Sequence, residues 1–589
     1  MIHYHITAID PVAHLFSVSM TIDSPQAQTE VWLPAWLPGS YMIRDFAKNL
    51  IGLQAYDQNK QPQSVTQLDK QRWLIDCDGS QLHLNYQVYA WDMSVRTAHL
   101  DQTHGFFNGS SVFLAVKGLE RSTHYVEIGA PQGLEHWQVA TTLPRVTGGD
   151  FEFGRFYAND YEALIDHPVE MGTFTVGTFE ACGVRHDVVL TGRHYCHMPR
   201  LLRDLKAICE TEIQFFGTPA PFERYVFMTH VAKNAGGGLE HRDSTALHCS
   251  RNELPTSDDE PMSDDYRNYL TLCCHEYFHS WNVKRIKPAV FTPFNLQSET
   301  YTPQLWAYEG ITSYYEELLT YRSGCVDKTG YLDLLAKTFT RVYRGAGRLQ
   351  QSLNESSFNA WTKFYKQDEN AINAIVSYYT KGALFALFLD LTIRKETDGK
   401  QSLDDVMRSL WQDYGVTGIG TDDDTHLNIV SEILGRDASP EFAWLDKAED
   451  LPLESLLAEF GVAMTLRASN RNGDQGGGDS PGLIYGFGAR YRPEGLGVRI
   501  MNVANGSPAH QCGLSHADLL IAADGLQVSS GFEQSLSVFK QKSSITLHWF
   551  RDDVLMSGEM PIESAKKDTI FLALQDESKI QQWLDSSVE

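Results

Sequence analysis

Residues 265–283 read DYRNYLTLCCHEYFHSWNV, and the rest of the chain is interpreted outward from them. At the centre stand His275, Glu276 and His279. Two histidines at i and i+4 lie one turn apart on the same helix face, so both imidazoles reach one metal ion. Glu276 then projects beside the open position of that metal, where a carboxylate takes a proton from activated water. Tyr269, Leu270, Leu272, Phe278 and Trp281 flank the motif and turn both histidines inward. The plain alternative is a buried pair of hydrogen-bonded, structural histidines. A third ligand is offered by Glu309, thirty positions after His279, in Trp306-Ala307-Tyr308-Glu309-Gly310. Two imidazoles, one carboxylate and an open fourth position favour zinc.

Around this motif the pattern is helical. Residues 199–217, 303–324, 328–347 and 377–399 carry apolar side chains at helix spacing, and glycines stop the chain at 217, 324 and 399. A short strand, RYVFMTHV (224–231), leads into AGGGLEHRDSTALH (235–248). The first 165 or so residues read instead as β. Segments such as LFSVSMTI (15–22) and LHLNYQVYAW (82–91) alternate between turn residues, which predicts a β-sandwich. The stretch ASNRNGDQGGGDSPG (468–482) has the composition of a flexible linker, with short strands and a GSPA turn beyond it.

With 589 residues, 42% hydrophobic and 21% charged, the chain is expected to form several globular domains. A net charge of −26, from 49 basic against 75 acidic side chains, argues against nucleic acid and anionic membrane surfaces as partners. No basic start precedes an apolar run at the N-terminus, and no stretch is long enough to span a membrane. Nine scattered cysteines without a CxxC pair fit reduced thiols in the cytoplasm. Oligomeric state is not legible.

HEYFHSWNVKRIKP (275–288) followed by LWAYEGITSYYEELL (305–319) resembles the glycyl aminopeptidase family of zinc metallopeptidases. WLPGSYMIRDF (36–46) and VYAWDMSVRTAHLDQTHGFFNGSSVFL (88–114) resemble that family's N-terminal domain. More distantly the chain is similar to aminopeptidase N, although the gap between His279 and Glu309 is longer here. The resemblance implies a multidomain α+β chain. Its parts are an N-terminal β-sandwich (1–167), a thermolysin-like, mainly helical catalytic domain (168–467), the linker (468–482), a PDZ domain (483–562) and a tail (563–589).

Small residues at Gly237 and Gly238 let a substrate backbone approach an extended strand, and Glu240 lies where it can bind an ammonium group. By resemblance to the exopeptidase motif, Glu240 takes the substrate's α-amine; a plain loop with a solvated glutamate is the bland alternative. Tyr379-Thr380-Lys381-Gly382 matches the setting of the oxyanion-stabilising tyrosine of aminopeptidase N, with Tyr378 as the competing choice. Tyr41 and Arg44 are further candidates for the substrate pocket, while His194 and His197 read as structural. Tyr485-Gly486-Phe487-Gly488 resembles the PDZ loop whose amides bind a peptide or protein C-terminus. The expected function is zinc-dependent release of N-terminal glycine, or alanine, from peptides with a free N-terminus. The rival readings are an endopeptidase-type or inactive zinc site in a protein that works through its PDZ module.

Overall fold

The structure, a computed structural model, describes residues 1–77 and 81–584. It is α+β, with β-rich sequence first and helices in the middle of the chain. Two compact units divide it: Met1–Thr300 with Ser323–Cys325 and Leu410–Thr421, and Tyr301–Arg322 with Val326–Ser409 and Asp422–Glu589.

In the first unit, alternating strands such as Leu15–Ile22 bury every second side chain, as their period of two requires. A seven-stranded sheet is built around the hairpin Ile2–Asp10 and Leu15–Ile22. Ile2–Thr7 also pairs in parallel with His124–Gly129. Two four-stranded sheets complete this β-rich part. The expected boundary at 167 moves, because Val169–Gly172 pairs with His104–Phe107 and belongs to one of those sheets. Sheet membership changes at Phe174, the first residue of a five-stranded sheet. Its strands run Phe174–Ala181, Val184–Thr191, Arg224–Ala232, Ser244–Ser250 and Gly237–Glu240, in that spatial order.

The helix Asp264–Phe278 packs on this sheet. Ser263 caps it through the Tyr266 N–H, and Asp264 and Asp265 favour its positive end. Tyr269 and Tyr277 tie it down: their hydroxyls lie 2.8 Å from Thr229 Oγ1 and His186 Nε2.

In the second unit the helices Ile311–Arg322, Lys328–Arg344 and Thr380–Glu396 form the core. The last is buried on nearly every face, so its acidic residue is inside. Asp390 accepts from Tyr314 Oη at 2.7 Å, Arg394 Nε at 3.0 Å and the Leu403 N–H at 2.9 Å.

One expectation about the C-terminal part is corrected. The glycine-rich stretch 468–482 is not a free linker. Asp474 is buried, accepts from Arg467 at 2.6 Å and from the Asn470 N–H at 2.9 Å, and Gly477 N–H donates to Ile570 O. The tail from 563 holds the short apolar strand, TIFLAL, and the amphipathic helix that its sequence suggests. Lys567–Leu574 pairs antiparallel with Val462–Ala468, and the helix Glu577–Leu584 buries Trp583, whose indole donates to Tyr314 Oη at 3.1 Å. The strand pairing and the Gly477–Ile570 bond join segments about a hundred positions apart, which composition does not show. Residues 585–589 of the expected tail lie outside the described residues. Between the paired strands a separate sheet, with Ala489–Glu494, Gly497–Val503, Leu519–Ala523, Ser544–Arg551 and Val554–Pro561 in order, closes over its own apolar core. Among the described residues no helix is long and apolar enough to cross a membrane.

Asp390→Ala leaves Arg394 buried without its charge partner. The expected loss is about 3–5 kcal/mol, read as a lowered urea midpoint with an unchanged slope.

Candidate active site

The site of the first unit begins with the helix Asp264–Phe278. Its last turn presents His275 and Glu276, and His279 occupies the C-cap. His275 Nε2 and His279 Nε2 converge to 2.9 Å, with ring planes at 90°. The other ring nitrogen of His279, Nδ1, donates to Asn282 O at 2.7 Å, which reserves Nε2 as a lone pair. Nitrogens bound tetrahedrally to zinc at their usual bond length lie about 3.3 Å apart. The histidine pair therefore fits zinc with a shift of a few tenths of an ångström.

The edge strand Gly237–Glu240 lies across this helix. Period two puts Gly238 and Glu240 on one face. Gly238 has no room for a side chain: a Cβ there would lie 2.2 Å from Glu276 Oε1. Glu240, Glu276 and His279 bring ligand atoms within 4.8 Å of one another. Glu240 and Glu276 are each 4% exposed. Glu240 Oε1 and Glu276 Oε2 accept no hydrogen bond from the described residues. Burial pushes the Glu276 carboxyl up to about 7; His275 pulls against this, Glu240 adds to it, and His279 and Arg96 lower it. A buried carboxylate without a partner is costly, and such costs gather where chemistry is done. A base whose pKa lies near neutrality suits proton transfer at neutral pH.

The β-rich part reaches the same place. Gly39, at φ +90°, presses its backbone on Glu240, and a Cβ there would meet Glu240 Oε1 at 2.3 Å. Tyr41 stacks on Phe291, and Arg44 donates to Ser40 Oγ at 2.7 Å. These two candidates thus brace the turn that carries Gly39. Arg96 Nη2 donates to Gly238 O at 2.9 Å. Sequence reasoning missed Gly39 and Arg96, although both lie in the segments 36–46 and 88–114. His194 Nε2 lies 3.1 Å from Thr175 Oγ1, and His197 precedes the helix Met198–Phe216, in keeping with structural roles.

The second unit holds the other candidates. Glu309 lies on a π-helical turn, Trp306–Gly310, that runs into the helix Ile311–Arg322. Such turns recur at functional sites. Gly310 lies directly on Gly382, whose Cα is 2.5 Å from where a Gly310 Cβ would be. This backbone contact sets Glu309 beside Tyr379, the cap of Thr380–Glu396. Burial, followed by the Glu309 charge, raises the Tyr379 phenol well above its ordinary value. Tyr365 Oη lies 3.3 Å from Tyr379 Oη. Tyr378 is buried completely, whereas Tyr379 keeps partial exposure.

The loop at 485–488 is engaged with its own chain. Gly486 N–H donates to Glu563 O, Ala565 N–H to Ile484 O, and Ala509 N–H to Phe487 O. Tyr485 bridges Ser564, and Gly488 takes φ +76° against Ser507.

Gly238→Ala is expected to displace Glu276. Even a displacement of about 1 Å costs roughly a hundredfold in rate. The fall should appear in kcat and exceed what the accompanying overpacking loss of about 1–3 kcal/mol in stability explains.

Residues 3–173 match the Peptidase M61 N-terminal domain, and residues 268–385 match the M61 glycyl aminopeptidase domain. A solved aminopeptidase N family protein from Idiomarina loihiensis is 45% identical, covers 100% of both chains and superposes with a TM-score of 0.96. An M1 zinc metallopeptidase from Deinococcus radiodurans is 14% identical, over 77% of this chain and 94% of that one, with a TM-score of 0.49. No curated protein matches. With family models matching 3–173 and 268–385 and a full-length relative 45% identical, the chain belongs to the M61 glycyl aminopeptidase family and is a metallo-aminopeptidase.

Proposed function

We propose that this metallo-aminopeptidase releases N-terminal glycine, or alanine, from peptides, with His275, His279 and Glu309 as the zinc ligands. The observation that carries the proposal is the pair of buried carboxylates, Glu240 and Glu276, each with an unpartnered oxygen beside the converging histidines. Zinc, when bound, polarises the scissile carbonyl and lowers the pKa of water. Glu276 takes the proton of the attacking water and passes it to the leaving amine. Glu240 binds the substrate's α-ammonium group, which restricts the enzyme to free N-termini. Gly237 and Gly238 let the substrate backbone lie against the strand. Tyr379 donates its hydroxyl to the oxygen on which negative charge develops, a role that its high pKa suits, since a protonated phenol is a donor. Its place beside the Glu309 charge favours it over Tyr378.

The module that follows is proposed to be PDZ-like, with Tyr485, Gly486, Phe487 and Gly488 as the loop for a peptide or protein C-terminus. Such a ligand competes with the pairing of 484–486 to 563–565. Packing supports a second role for it: Asn373 Nδ2 donates to Val503 O at 3.0 Å, and Asn373 Oδ1 accepts from Asn505 N at 2.9 Å. The cysteines, all free, suit a cytoplasmic setting.

Hydrolysis of glycyl-p-nitroanilide is expected to vanish with a chelator and return with zinc. Glu276→Gln should bind zinc and lose about 10²–10⁴-fold in kcat. An N-acetylated peptide should be inert; its cleavage at the rate of the free peptide would exclude the role given to Glu240. Leucyl-p-nitroanilide turned over as well as the glycyl compound would remove the small-residue preference.

A further inference from the structure

The proposed mechanism gives no contact with substrate to Arg96, whose charge reaches Glu276. Arg96 is half-buried between the β-rich part and the edge strand. Its one hydrogen bond to protein from the guanidinium is Nη2 to Gly238 O. Its Nε is buried without a partner, and among the described residues it pairs with no carboxylate. A guanidinium carries five donors and a charge that is never given up, so a half-buried one that is so little used is set to meet an anion.

Its position indicates which anion. Gly237–Glu240 is the last strand of its sheet and pairs only with Ser244–Ser250, so a peptide adds along the other edge. The substrate's N-terminus belongs at Glu240. The base Glu276 lies against Gly238, so the scissile bond belongs there. The substrate therefore runs antiparallel to the strand, from Glu240 toward Gly237. In an extended dipeptide the carboxylate lies one residue, about 3.3 Å, beyond the scissile bond. A dipeptide whose scissile bond lies at Gly238 therefore brings its carboxylate to Gly237. Arg96 stands there, with Nη1 4.0 Å from the place a Gly237 Cβ would take.

We propose that Arg96 binds the C-terminal carboxylate of short substrates and makes the enzyme selective for dipeptides. The inference rests on the reading of Glu240 as the α-amine site. A longer peptide carries a neutral amide at this position and forgoes the ion pair.

The test compares kcat/KM for glycyl-alanine, glycyl-alaninamide and N-acetyl-glycyl-alanine. A charge-assisted, bidentate contact gives about a ten- to hundredfold preference for the acid over the amide in the wild type, carried by KM. Arg96→Met should bring that ratio to within about threefold by raising KM for the acid, and Arg96→Lys should retain part of it, as a point charge does. Equal turnover of acid and amide by the wild-type enzyme would overturn the proposal. So would an Arg96→Met enzyme that loses both substrates by the same factor, since Arg96 would then only brace Gly238. If Arg96→Met does not fold, the wild-type ratio and Arg96→Lys decide. Cleavage of the acetylated dipeptide as fast as the free one is a separate result: it removes the Glu240 reading, and this inference with it.

Discussion

The active-site half carried by the first unit depends on one steric constraint, a strand pressed onto a helix at a position where no side chain fits. Gly238 meets the Glu276 carboxylate directly, and even one methyl group would occupy the oxygen's place. The contact has two effects. It excludes water from one side of Glu276, which raises its proton affinity, and it fixes that carboxylate against a backbone that cannot change rotamer. A larger residue at 238 would have required Glu276 to move.

The same constraint explains the accumulation of charge. Glu240 and Glu276 stand on one side of the strand, and the two negative groups repel in a poorly solvated space. Among the described residues neither carboxylate is bonded to a lysine or arginine, although the Arg96 charge lowers the Glu276 pKa. In the proposed mechanism the compensation comes from ligands, a metal at the histidines and an ammonium group at Glu240. The turn carrying Gly39 presses on Glu240 from the β-rich part, so the N-terminal sheets help to place that carboxylate. Tyr41 and Arg44 brace that turn through Phe291 and Ser40.

What the sequence revealed and what it hid follow from the range of each signal. The histidine pair was legible because i, i+4 spacing on a helix is a local rule, and the alternating strands were legible for the same reason. Gly238 and Glu240 could be singled out as a motif, but their pressure on Glu276 could not, since it arises between segments almost forty positions apart. Gly39 and Arg96 were invisible individually: they act on Glu240 and Gly238 across roughly 140 to 200 positions, and no periodicity encodes such a contact. The flexible reading of 468–482 failed for a related reason. Glycine and polar composition signals freedom only if nothing binds the segment, and here Asp474 collects Arg467 and several amides.

The topology of the last hundred residues changes what the C-terminal module is. Val462–Ala468 and Lys567–Leu574 pair with each other, so the small sheet between them is an insertion within a closed hairpin-like frame, not an extension. The second strand and the helix after it return to the helical core. Thr340 Oγ1 accepts from Ile570 N–H, Trp583 is bound to Tyr314, and Tyr314 is bound to Asp390. A chain cut at 467 would thus lose a strand and a core tryptophan together with the module. Loss of activity in such a truncation would report on the stability of the helices. Only excision between the paired strands, with 462–468 and 567–584 kept, separates what the module does from what the fold requires.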